Sequence, residues 1–73
     1  MAKFKIEEPG KADKWVKNID RVNQAIEFTT NEAEAYVRDG GFYPGAELNY
    51  IKHYFMEEHP ELEYCKVVDG WDW

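Results

Sequence analysis

The chain has 73 residues, 44% of them hydrophobic and 16% aromatic, with a net charge of −6 and a single cysteine. That length allows one domain with a small core, and the aromatic content excludes a disordered chain despite 33% charged residues. The lone Cys65 excludes an internal disulfide, and the negative balance disfavours unassisted contact with nucleic acid, whose phosphates it repels.

From the N-terminus, Lys3-Phe4-Lys5-Ile6-Glu7 alternates polar and apolar, the pattern of a half-buried strand, and Glu8-Pro9-Gly10 ends it. The next stretch supports two readings. Trp15, Ile19, Val22 and Ile26 recur at helical spacing, which would give a helix over 12–27. Asn18, Asp20 and Asn23, with the β-branched Val16, Ile19 and Val22, lower helix propensity there. The second reading is a hairpin. Its first strand is 15–19, with Trp15, Lys17 and Ile19 on one face; its loop is 20–24, rich in turn formers; its second strand is 25–29. The hairpin is favoured, because a helix start predicted at residue 29 leaves no room for a helix running through Phe28.

That start is Thr29-Thr30-Asn31-Glu32, which reads as a capping box with Thr29 bonded to the backbone at Glu32. A helix is expected over 31–39, with Ala33, Tyr36 and Val37 inward and Gly40-Gly41 as its stop. Pro44 suits the first turn of a second helix over 46–58, with Leu48, Ile51 and Phe55 as its core stripe, and His59-Pro60 ends it. A last strand is expected over 62–68, with Leu62, Tyr64 and Val68 on one side, before Asp69-Gly70 turns the chain into Trp71-Asp72-Trp73. The order β-β-β-α-α-β implies an α+β fold: a small antiparallel or mixed sheet with two helices packed on one face.

Charge is placed unevenly. Residues 1–21 carry a balance of +2 and residues 22–73 a balance of −8. Such a surface favours a basic partner protein, although acidic residues also keep small domains soluble. The N-terminal residues lack an apolar leader and no apolar run approaches the roughly 20 residues of a membrane span, so a cytoplasmic protein without membrane contact is expected.

The residues that could carry chemistry fall short of a motif. His53 and Glu57, four apart, with Glu58, His59 and Glu61 nearby, could touch a metal ion, but a structural zinc site needs four ligands and usually paired Cys or His. Cys65 with His53 lacks an evident third orienting group, and a cysteine in an alternating strand serves as a small buried hydrophobe. Gly40, Gly41 and Gly45 do not form a phosphate-cradling loop. No catalytic residue, cofactor or metal is therefore expected, and the chain reads as a non-enzyme. The aromatic side chains are too many for so small a core, so some must face solvent, where Trp and Tyr serve as interface anchors. The expected partner-binding residues are Trp71, Trp73, Phe42 and Tyr43, with Glu57, Glu58, Glu61 and Glu63 supplying charge.

Trp15-Val16-Lys17-Asn18-Ile19-Asp20, followed by Ile26-Glu27-Phe28-Thr29 and Glu32-Ala33-Glu34-Ala35-Tyr36, resembles small early open reading frames of tailed bacteriophages over residues 15–39. The same strand-to-helix joint occurs in ferredoxin-like domains. The resemblance implies a hairpin feeding a capped helix, and a phage or mobile-element protein that binds a host protein and blocks or redirects it; no functional residue carries over. The expected function is a protein-binding module with an acidic, aromatic-bearing surface. The alternatives are an acidic DNA mimic that occupies a nucleic-acid-binding site, and a small metal- or thiol-dependent enzyme. A homodimer is compatible with each.

Overall fold

The computed structural model describes residues 2–38 and 44–68. Four strands form one antiparallel sheet: β1 (Lys3–Ile6), β2 (Lys14–Asp20), β3 (Ala25–Thr29) and β4 (Cys65–Val68), in the spatial order β3-β2-β1-β4. Among the described residues there is one α-helix, α1 (Pro44–Phe55), flanked by 3-10 turns at Glu32–Glu34 and Pro60–Tyr64. The fold is α+β with an antiparallel sheet, and its element order is β-β-β-α-β.

The hairpin forms because its turn is held by side chains. Asp20 Oδ1 accepts the backbone N–H groups of Val22 (3.0 Å) and Asn23 (3.1 Å), and Asn23 Nδ2 donates to Asp20 Oδ2 at 2.8 Å. Asn23 and these turn N–H groups hold the Asp20 carboxyl below its ordinary range. Gln24 takes the left-handed conformation that closes the turn, with φ 50°. A helix over 12–27 would have to break this ladder.

The pairing shifts by one residue between Val16 and Asn18: Val16 faces Phe28 and Asn18 faces Glu27, which leaves Lys17 without an opposite residue. An inserted residue re-phases the alternation of a strand. The expected face of Trp15, Lys17 and Ile19 is corrected accordingly. Val16 is fully buried, Ile19 packs on the same core, and Lys17 is exposed.

The expected helix over 31–39 is not formed. Residues 32–34 make a single 3-10 turn, and the chain then runs extended, with Ala35 at φ −67° and ψ 143°. Backbone pairing with the sheet wins over local helix propensity. Tyr36 N–H donates to Val16 C=O at 2.8 Å, and Arg38 exchanges two hydrogen bonds with Ala2 at 2.7 and 3.1 Å. Tyr36 also stacks on Phe4, ring centres 6.1 Å apart. The capping box is likewise corrected. Asn31 is the cap and accepts from Ala33 N–H at 3.0 Å, while Thr29 Oγ1 accepts from Asn31 N–H and donates to Glu34, each at 3.0 Å. Two helices on the sheet therefore become one, with 3-10 turns.

The second expected helix starts two residues earlier than predicted, at Pro44, and ends at Phe55. Its stripe buries Ile51 and Phe55 against the sheet and half-buries Leu48. The last strand is shorter than predicted: residues 60–64 turn, so Leu62 enters the core, Tyr64 stays exposed, and Cys65 begins β4 with its side chain inward. The core thus collects Phe4, Ile6, Val16, Ile51, Phe55, Leu62 and Cys65 from the sheet, the helix and the second turn. A large apolar side chain so enclosed contributes about 1.5–3 kcal/mol.

Candidate protein-binding surface

The sheet face turned away from α1 carries interleaved charges. Lys5 lies 3.3 Å from both Glu7 and Asp13, Lys66 pairs with Glu7, and Lys3 with Glu32 at 3.3 Å. Lys66 first, then Lys5, draw the Glu7 carboxyl below its ordinary value, and Lys5 is raised in turn by Glu7 and Asp13. These exposed pairs largely neutralise one another.

The α1 side differs. Helix positions four apart lie on one face, which brings Tyr50 beside Tyr54 with ring centres 4.7 Å apart. His53 meets Tyr54 edge-on at 4.7 Å, and Arg21 reaches across from the hairpin to sit 4.3 Å above the Tyr50 ring. Tyr54 is 52% exposed and Tyr64 42% exposed. Both present large, rigid, amphipathic rings of the kind that anchor protein interfaces.

Beyond the last turn of α1 come Glu57 and Glu58, both exposed, and Glu63 is exposed in the 3-10 turn that follows. None of the three makes an ion pair among the described residues. Glu57 and Glu58 stand at the negative end of the helix dipole, where a carboxylate weakens the helix instead of stabilising it. Glu61 is different in kind: half-buried, it binds Lys14 at 3.0 Å, with His59 Nδ1 3.7 Å away. Burial pushes the Glu61 carboxyl up, but Lys14, the local backbone and His59 together bring it below its ordinary value. It serves the fold, tying β2 to the second 3-10 turn. Phe42, Tyr43, Trp71 and Trp73 lie outside the described residues.

Cys65 is 4% exposed, and burial pushes its thiol up to about 12. At neutral pH it holds its proton and has no thiolate to offer as a nucleophile. His53 is exposed and packs edge-on against Tyr54. Among the described residues no three His, Cys, Asp or Glu side chains come together as a group that could hold a metal ion, and no helix is long and apolar enough to cross a membrane.

Sequence reasoning counted Tyr50, Tyr54 and Tyr64 among the aromatic side chains too many for the core to hide but did not single them out as anchors, and it gave Arg21 no surface role. The spacing of Tyr50 and Tyr54 was the available signal; the approach of Arg21 depends on where the hairpin lies. No protein-family model, curated protein or solved structure matches the chain.

Proposed function

We propose that this chain is a non-enzymatic protein-binding module, a phage or mobile-element protein, that docks on a basic surface of a host protein and modulates it. The contact face is the outer side of α1 and the turn beyond it. One observation carries this reading: Glu57, Glu58 and Glu63 stand unpaired among the described residues, two of them where they weaken their own helix, in the same short stretch of chain as the exposed rings of Tyr54 and Tyr64. Carboxylates placed against local stability are well suited to meeting cations on another molecule, where potential complementarity sets specificity and encounter rate. The rings supply the apolar contact that charges alone lack.

The DNA-mimic alternative needs an unbroken row of carboxylates at phosphate-like spacing. On this molecule Lys5 stands between Glu7 and Asp13, and Lys14 covers Glu61, so the signs alternate. The enzyme alternative would rest on Cys65, whose enclosed, protonated thiol lends it little support.

The test is affinity capture from host lysate with the native chain and with a Glu57→Lys, Glu58→Lys, Glu63→Lys variant. The native chain is expected to retain a specific protein that salt elutes and the variant does not hold. Equal capture by both chains would contradict the proposal.

A further inference from the structure

The sheet ends on one side in an unguarded strand. Among the described residues, β3 is hydrogen-bonded to β2 alone, and no backbone bond reaches it from its other side. Such an edge presents a row of unpaired N–H and C=O groups, a template for one more strand, and natural proteins blunt it with lysine, proline or a bulge. The opposite edge follows that rule: β4 carries Lys66 at its second position, paired with Glu7. β3 does not. It reads Ala25-Ile26-Glu27-Phe28-Thr29, without lysine or proline, and the inserted residue of the hairpin, Lys17, belongs to β2. Its apolar face is also incompletely covered. Ile26 and Phe28 pack against the core yet stay half-buried, so a neighbouring strand with apolar side chains on that face would cover the area they leave in solvent.

The charge that β3 does carry selects what joins it. Glu27 is exposed, faces the neutral Asn18 across the hairpin, and has no ion pair among the described residues. A second copy of this chain fits poorly. Antiparallel pairing along the whole strand sets Glu27 against Glu27, a like-charge pair that destabilises a sheet, and each copy carries a net charge of −6. A cation opposite Glu27 stabilises the pairing instead. We propose that the open edge of β3 takes up an extended segment of another protein as a further strand, with a lysine or arginine opposite Glu27 and apolar residues beside Ile26 and Phe28. Main-chain hydrogen bonds hold the segment, and its alternate side chains decide which segment fits. This contact is separate from the α1 face: it depends on Glu27 and on backbone groups, and not on Glu57, Glu58 or Glu63.

The test is titration of the ¹⁵N-labelled full chain with an end-capped peptide, Thr-Val-Lys-Val-Thr, at up to millimolar concentration, following the backbone amides of β3. Two control peptides accompany it. One has glutamate in place of lysine; the other is the lysine peptide methylated at every backbone nitrogen, which keeps the side chains and loses the main-chain donors. The lysine peptide is expected to shift the β3 amides saturably, to bind about fivefold more tightly than the glutamate peptide, and to lose its binding on methylation. In a Glu27→Lys variant, changed at an exposed position, the preference between lysine and glutamate peptides should reverse. Equal binding of the lysine and glutamate peptides to the native chain, undiminished binding after methylation, shifts confined to α1, or no saturable shift at all would overturn the proposal. So would β3 shifts that grow with protein concentration before any peptide is added, since the edge would then belong to a second copy.

Discussion

Neutralising Glu57 and Glu58 should make the protein more stable while impairing what it binds. The two residues lie two and three positions beyond the end of α1, whose last backbone carbonyls carry the negative end of the helix dipole, and neither has an ion-pair partner among the described residues. A charge of the wrong sign at a helix end costs about 0.3–1 kcal/mol at low salt. Glutamine has nearly the helix propensity of glutamate, so Glu57→Gln with Glu58→Gln removes charge and little else. The expected gain is about 1 kcal/mol in total. For a chain of 73 residues the unfolding entropy is about 150 cal/mol/K, so the midpoint should rise by about 6 °C. The assay is thermal unfolding followed by circular dichroism in low-salt buffer at about pH 8. Raising the salt to about 1 M, where screening acts within a few ångströms, should erase most of the gain. An unchanged or lowered midpoint at low salt would refute the reasoning, because those carboxylates would then be satisfied within the fold.

Truncating the centre of the core should be severe: Ile51→Ala removes a fully buried side chain between helix and sheet and should cost about 2–5 kcal/mol, read as a lower denaturant midpoint. Stability should fall on acidification below the ordinary carboxylate value of 4.5, since Glu61 and Glu7 are held lower in the fold and contribute only while ionised; Lys14→Met should lessen the Glu61 part of that pH dependence in acid-unfolding curves. Cys65 should resist alkylation in the native protein at neutral pH and react once denaturant is added. Because its thiol is raised from 9.0 to about 12, its contribution to stability is full below pH 9 and is lost as the pH climbs toward 12. Rapid native-state alkylation would contradict its placement in the core.

Much of this architecture was legible because local signals and tertiary packing agree. The strand Ala25–Thr29 falls where alternation and turn chemistry place it, and Asp20 holds the hairpin turn as its residue type foretells. The stripe of Ile51 and Phe55 marks the buried side of α1. Where the reading failed, a distant partner decided the outcome. Residues 31–39 have good helical spacing and capping residues, yet Tyr36 and Arg38 take up backbone hydrogen bonds from Val16 and Ala2, a pairing that only the assembled sheet offers. The inserted Lys17 leaves no mark in composition but shifts Val16 inward. Leu62 enters the core through a 3-10 turn that a strand pattern concealed.

The candidate surface was half legible. The acids Glu57, Glu58 and Glu63 stand out by number, and their lack of partners needed coordinates. Glu61 looks the same in the sequence but is occupied by Lys14, which lies 47 residues away. Glu47 gave no sign of burial. An acid in a first helical turn is ordinary, and the two arginines that enclose it come from the hairpin and from the segment that was expected to be helical.

The central claim is that the α1 side, not the charge-balanced outer sheet, meets the partner. Site-specific photo-crosslinking in host lysate tests it most directly, with the photoreactive side chain placed at Tyr54 in one protein and at Lys66, exposed opposite Lys5 on the outer sheet face, in another. A discrete crosslinked product from position 54, lost at high salt and absent from position 66, is the predicted result. Crosslinking from position 66 alone, or from neither, would contradict it.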